Sequence, residues 1–196
     1  MTIENPATYW GELWASGRQY SPLTGPEIAL LDEHAGCGRG RLALDIGCGD
    51  GALTRHLAEL GFQATGLDCT PVAPALAEPS AGPVQYCCVD FEAPQQPPLP
   101  QRAYALITAR LVFAFIKDKP AFLSRVRSLL TFGGVFWVVT PIAERLPPDQ
   151  ASIGITRVEE ELLTSLWAWV RATDVGSLRC YVLRAWGDAS TETKGC

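Results

Sequence analysis

Basic charge, histidine and long apolar runs are all scarce in this chain. Sixteen Lys and Arg stand against 21 Asp and Glu, a net charge of −5, which leaves no basic field for a polyanion and weighs against nucleic acid as the substrate. Histidine occurs only at His34 and His56, neither in a cluster with metal-ligand spacing, so no metal is expected. The most apolar runs, such as Gly134 to Val139, fall far short of a membrane span, so no membrane partner is expected. Met1-Thr-Ile-Glu-Asn-Pro6 has neither a basic stretch nor an apolar one, so no secretory signal is visible and the cytoplasm is the expected compartment. No Cys-x-x-Cys occurs. The seven cysteines are odd in number and irregularly spaced, with Cys87 and Cys88 adjacent, and read as reduced thiols, Cys37 and Cys196 being the most exposed.

What is present is the make-up of one globular domain: 196 residues, 47% hydrophobic and 19% charged, enough for a single core and too few for two ordinary ones. From Arg41 onward, strand-like and helix-like segments alternate, the sequence mark of a parallel sheet covered by helices. Strands are predicted at 41–46, 62–68, 84–90, 104–109 and 135–140. Between the first two, Leu53, Leu57 and Leu60 recur at helical spacing up to Gly61. Thr70-Pro71 opens a short second helix. A later helix carries Phe122, Val126, Leu129 and Leu130 on one face and is expected to end at Gly133-Gly134. Glu159 to Trp169 reads as a final helix, and the tail as a hairpin turning at Asp174-Val-Gly176. Before the first strand, a leader of some forty residues holds Tyr9, Trp10, Trp14 and Tyr20, more aromatic surface than a disordered tail carries. Helices packed on the sheet or a lid over a site would both account for it.

The chemistry concentrates in Asp45-Ile-Gly-Cys-Gly-Asp-Gly51. It lies at a strand-to-helix junction, where backbone amides and the positive helix end receive polar or anionic groups. Glycine at alternate positions lets a ligand approach the backbone. Gly47, Gly49 and Ala52 also fit a dinucleotide fingerprint. Two features separate the readings. Asp45 lies inside the strand, where a buried carboxylate needs a partner and a ligand ammonium would be one. Further acids, Asp68 and Asp90, follow strands two and three, so that all three stand at the carboxyl edge of the sheet, where open α/β folds bind ligands.

With those residues in place, Leu44-Asp-Ile-Gly-Cys-Gly-Asp-Gly51 resembles the first motif of class I S-adenosylmethionine (SAM) dependent methyltransferases, Gly66-Leu-Asp68 the second and Cys88-Val-Asp-Phe91 the third. The resemblance covers roughly 41–140. It implies an α/β fold: a three-layer Rossmann-like sandwich, a mostly parallel seven-stranded sheet with an antiparallel last strand and helices on both faces. It divides the single domain, 1–196, into a helical cap or lid (1–40), a SAM-binding core (41–140) and a C-terminal helix and hairpin (141–196). It implies SAM as cofactor and S-adenosylhomocysteine (SAH) as product. Gly47, Cys48 and Gly49 would face the methionine part with Asp45 on its ammonium, Asp68 and Cys69 would lie at the ribose, and Asp90 and the Phe91 amide at the adenine.

Methyl transfer from a sulfonium needs alignment more than a dedicated base. Candidates for a catalytic role are Arg110, Tyr20 and His34. His34 is more simply a solvated helix end, and His56, off the leucine stripe, a surface residue. Arg110 follows strand four and would bind a substrate carboxylate or form a salt bridge. Tyr9, Trp10, Trp14, Tyr20, Arg110, Phe113 and Phe115 could line an acceptor pocket or belong to the core. The residues after strand four, Thr108-Ala-Arg-Leu111, lack the Asn/Asp-Pro-Pro-Tyr/Phe signature of nucleobase-methylating relatives. The expected acceptor is therefore a small molecule such as a biosynthetic or natural-product intermediate, and the expected assembly a monomer or homodimer. The alternatives are SAM chemistry other than methylation, such as cyclisation, and a non-catalytic SAM-binding subunit.

Overall fold

The computed structural model describes residues 5–17, 22–75, 83–93, 99–101 and 103–185. Strands β1 (Leu42–Ile46), β2 (Gln63–Asp68), β3 (Val84–Cys88), β4 (Tyr104–Arg110), β5 (Leu130–Pro141), β6 (Trp169–Val175) and β7 (Leu178–Arg184) form one sheet in the order β3-β2-β1-β4-β5-β7-β6. The strands from β3 to β5 run parallel, while β7 is antiparallel to both β5 and β6. The sheet is thus parallel except for the last strand in sequence, matching the seven-stranded Rossmann-like architecture expected.

Period-two alternation sorts side chains to the two faces. Ala43 in β1, Leu106 in β4, and Val135, Trp137 and Val139 in β5 face one layer. There they meet Leu31 and Ala35 of α2 (Gly25–Ala35) and Leu53, Leu57 and Ala58 of α3 (Ala52–Glu59). Leu44, Ile46, Ile107, Phe136 and Val138 face the other. Phe122, Leu123 and Val126 of α5 (Lys119–Leu129) and Leu163 of α6 (Arg157–Ser165) cover them. The short α4 (Val72–Ala75) follows β2. Removing so many aliphatic and aromatic side chains from water, at about 1.5–3 kcal/mol each, is what holds the layers together.

The leader divides in two. α2 starts with a capping box between Thr24 and Glu27 and buries Leu31 and Ala35, so it belongs to the core. α1 (Pro6–Ala15) buries none of its residues completely and rests on the carboxyl edge of the sheet.

Two readings from the sequence are corrected and a third, the hairpin, is completed. α5 stops at Leu129, and Gly133-Gly134 lie inside β5 rather than before it; the register shifts between Tyr104 and Leu106 opposite them, an irregularity that a left-handed Gly133 (φ 72°) accommodates. The hairpin does turn at Gly176 (φ 60°), yet its second strand inserts between β5 and β6. Finally, among the described residues Cys48, Cys69, Cys87, Cys88 and Cys180 are free thiols, but Cys37 is disulfide-bonded. Irregular spacing in sequence was no bar, because a disulfide requires only proximity in the fold.

Candidate cofactor site

The turn from β1 into α3 is built on left-handed glycines. Gly47 has φ 68° and Gly49 φ 54°, values that cost other L-residues about 1–2 kcal/mol. Space forbids side chains there too. A Cβ on Gly47 would lie 2.3 Å from Val112 Cγ2, and one on Gly49 2.9 Å from Trp14 Cζ2. The loop is thereby wedged between the segment after β4 and helix α1.

Asp45, 1% exposed, lies on the α3 face of β1. Its Oδ2 accepts from the Thr54 hydroxyl at 2.7 Å and its Oδ1 from the Thr108 hydroxyl at 2.8 Å. Burial pushes its pKa up to about 6, against the pull of the two hydroxyls and of Arg110. A ligand is therefore not required to satisfy this carboxylate, as the sequence argument supposed. Yet each oxygen, with about two lone-pair sites, accepts only one of these bonds and keeps capacity for another donor.

Asp68 closes β2 and is 7% exposed. Oδ2 accepts from the Gly49 amide and Oδ1 from the Thr70 amide, both at 3.1 Å, so one carboxylate ties the glycine loop to the β2 end. Burial raises its pKa as well. Asp90 is exposed beyond β3, where its side chain caps a turn by accepting from the Glu92 amide at 2.9 Å. Phe91 beside it is buried, with the Arg125 guanidinium 4.0 Å over its ring. Cys48 is buried and Cys69 half-buried; burial pushes both thiols up, Cys69 to about 12, so neither is a ready nucleophile.

Over this edge lies α1. Trp14 covers Gly49, Gly11 approaches the Thr70 side chain, and Trp10 meets Phe115 edge-on at 4.8 Å with Tyr9 against it at 5.0 Å. One amphipathic helix thus touches the loops after β1, β2 and β4.

A family profile described as "Methyltransferase domain" matches residues 25–187, more than four-fifths of the chain. The chain belongs to the methyltransferase-domain family. The class resemblance read from its motifs is thereby borne out. The ubiquinone biosynthesis O-methyltransferase of Methylobacterium nodulans is 35% identical over 101 residues, 50% of this chain and 39% of that protein. That of Idiomarina loihiensis is 27% identical over 136 residues, 65% and 54% of the two chains. The chain thus spans about half or less of these curated relatives. Among solved structures, the DhpI–SAH complex superposes with a TM-score of 0.68 at 22% identity, covering 94% of this chain and 97% of that one. A TehB-like SAM-dependent methyltransferase from Corynebacterium glutamicum gives 0.63 at 20%, covering 93% and 97%. These likenesses agree with the Rossmann-like fold.

Elsewhere in the chain the structure sorts the sequence candidates. Arg110 is engaged by Glu27, fully buried at the start of α2: Nε to Oε1 is 2.7 Å, and NH2 reaches Oε2 at 3.2 Å and the Pro22 carbonyl at 3.0 Å. Of its two readings, this is the salt bridge. Phe113 is completely buried among core residues with Phe122 at 5.9 Å, so it cannot line a pocket; Phe115, two residues on, is the one that meets α1. His34 sits near the other end of α2, against Trp169 at the start of β6, at the amino edge and away from the acids. Burial lowers its pKa. His56 is not a surface residue but bonds Asp32 of α2 at 2.7 Å. Tyr20 lies outside the described residues.

Sequence reasoning missed Thr54, Thr108, Glu27 and Val112, which act through long-range pairing. It also missed Leu111, whose φ of 59° is costly for a bulky residue. The amide of Leu111 donates to Val139 at 2.7 Å, and the turn it makes delivers Val112 onto Gly47. Strain of this kind concentrates at functional sites. Among the described residues, no group of three His, Cys, Asp or Glu could hold a metal, and no helix is long and apolar enough to cross a membrane.

Proposed function

We propose that this protein transfers a methyl group from SAM to a small-molecule acceptor, with SAH as product. The observation that carries the reading is that Asp45, Asp68 and Asp90 stand at the carboxyl ends of three adjacent strands, with Asp68 bonded to a glycine-rich turn beneath an aromatic helix. That succession along the sheet edge suits a molecule with an amino-acid end and a nucleoside end. Asp45 receives the ammonium, Asp68 the ribose hydroxyls alongside Cys69, and Asp90 with the Phe91 amide the adenine edge. Gly47, Cys48 and Gly49 present backbone to the methionine portion. Asp45 retains acceptor capacity after its two internal hydrogen bonds, so it fits the ammonium of the cofactor.

SAM, when bound, supplies a methyl carbon already activated by a sulfonium. What remains for the chain is alignment and exclusion of water. Tyr9, Trp10, Trp14 and Phe115 stand above the carboxyl edge, and α1 serves as a lid whose aromatic face receives a planar, apolar acceptor. Arg110 shapes that region by holding the chain between α1 and α2 to the end of β4. The names of the curated relatives, which concern a small biosynthetic molecule, support an acceptor of this size, and the acidic net charge speaks against nucleic acid. Five free thiols among the described residues support the cytoplasm, and a monomer or homodimer is sufficient for the site.

Calorimetry tests the cofactor assignment: SAH should bind 1:1 and NAD should not compete. Binding of NAD without SAH would overturn it. Incubation with labelled SAM and a panel of phenolic, amine and thiol acceptors should then yield a methylated product together with SAH. Tight SAH binding with thiomethyladenosine as the sole product would instead assign other SAM chemistry.

A further inference from the structure

The Asp45 carboxylate is the deepest charged group in the site, and two hydroxyls from different elements reach it. Thr108 stands directly opposite Asp45 in the β1–β4 pairing; Thr54 projects from the first turn of α3, just past the glycine loop. Both are completely buried. One hydroxyl on each oxygen fixes the carboxylate against rotation about its terminal bond, a torsion that is otherwise soft. A hydroxyl has one proton to give. Thr108 has a second acceptor, the Leu44 carbonyl at 3.4 Å against 2.8 Å to Asp45, and the shorter, charge-assisted bond takes the proton while Asp45 is ionised. Thr54 also packs closely against β2, since a Cβ on Gly66 would lie 2.9 Å from its hydroxyl oxygen.

We propose that Thr54 and Thr108 are positioning residues for the cofactor's amino-acid end: they orient the Asp45 carboxylate so that its free lone pairs meet the ammonium. This rests on the cofactor reading above and adds to it two residues that touch no ligand themselves. Packing alone would not call for two hydroxyls here, because valine has the same shape. What valine lacks is the donor that keeps the buried carboxylate ionised and aimed.

The test compares two ligands that differ in the amino-acid end. SAH carries the ammonium, whereas 5′-methylthioadenosine keeps the nucleoside and thioether and lacks it. Titration calorimetry at neutral pH on wild type should show both binding, SAH more tightly. Thr108→Val should weaken SAH by about tenfold or more, the order for loss of a hydrogen bond to a charged group, and leave methylthioadenosine within about twofold. Thr108→Ser should restore SAH binding. Equal loss of both ligands in the valine variant would show a structural effect on the whole site and overturn the proposal, as would no loss of either. Thr54→Val supplies the same comparison from the other oxygen should the Thr108 variant not fold. Wild-type protein that binds both ligands equally would exclude an ammonium contact while leaving the cofactor reading intact; binding of neither would remove both.

Discussion

Replacing Asp45 by Asn should stabilise the fold while impairing the site. The side chain is 1% exposed and its pKa is raised from 3.8 to about 6, burial being the largest cause. The groups that face it are the Thr54 and Thr108 hydroxyls and Arg110, which favour the charge, and Asp68, which opposes it. A folded-state pKa above the unfolded one means that the native protein holds the proton more tightly. The contribution to stability is therefore largest below pH 3.8 and is lost as pH rises through about 6. About two pKa units at 1.36 kcal/mol each amount to about 3 kcal/mol of penalty at pH 7.5, falling to about half of that at pH 5. Asparagine has nearly the same shape and no charge; its amide donates to one threonine oxygen, and Thr108 turns to the Leu44 carbonyl. Urea unfolding should show the variant more stable by up to about 3 kcal/mol at pH 7.5, with the gap narrowing toward pH 5. SAH affinity should fall at the same time, the trade expected where an active site holds a costly group. A variant less stable than wild type at pH 7.5, or a gap that widens on acidification, would refute the linkage argument.

Asp68→Ala should lower SAH affinity by about 2–4 kcal/mol through loss of paired charge-assisted bonds, measured by calorimetry on protein whose circular dichroism is unchanged; an unaltered dissociation constant would remove Asp68 from the ribose role. Arg110→Met leaves the Glu27 carboxylate buried without its cation and should cost about 3 kcal/mol in denaturant unfolding, whereas a neutral result would mean that the Thr24 contacts suffice. Deleting residues 1–20 takes away a helix with no fully buried residue, so the remaining chain should fold and bind SAH yet turn over poorly. Unfolding of the truncated protein would make α1 part of the core, and full activity would exclude it from the acceptor site.

The strands were legible because each is a short apolar run ended by glycine, proline or an acid, and burial on both faces imposes that pattern. β1, β2, β3 and β4 fall within a residue or two of their predicted spans. The three acids were legible for a related reason: strand ends that open onto a ligand edge tolerate charge where strand interiors do not. Sequence could not show the partners chosen across the fold. Thr54 is nine residues from Asp45 and Thr108 is 63 away, and nothing local marks either as its donor. Arg110 could be read as binding a substrate carboxylate or forming a salt bridge, and sequence could not decide between them because its partner, Glu27, lies 83 residues earlier. Phe113 and Phe115 look equivalent on paper; the 3-10 turn at Phe113–Phe115 sends one into the core and the other toward α1.

The insertion of β7 between β5 and β6 has a consequence for synthesis. β5 is the most apolar strand, and its outer edge is paired over Val135–Pro141 by β7 alone, a strand made after β6. Until then that edge offers unpaired amides and carbonyls flanked by Val135, Phe136, Trp137, Val138 and Val139, and β6, already emerged, has no neighbour to join. Between the synthesis of β5 and that of β7 the nascent chain therefore carries an exposed, aggregation-prone ribbon. Ribosome stalling ahead of β7 should leave the chain dependent on chaperones that bind extended apolar segments.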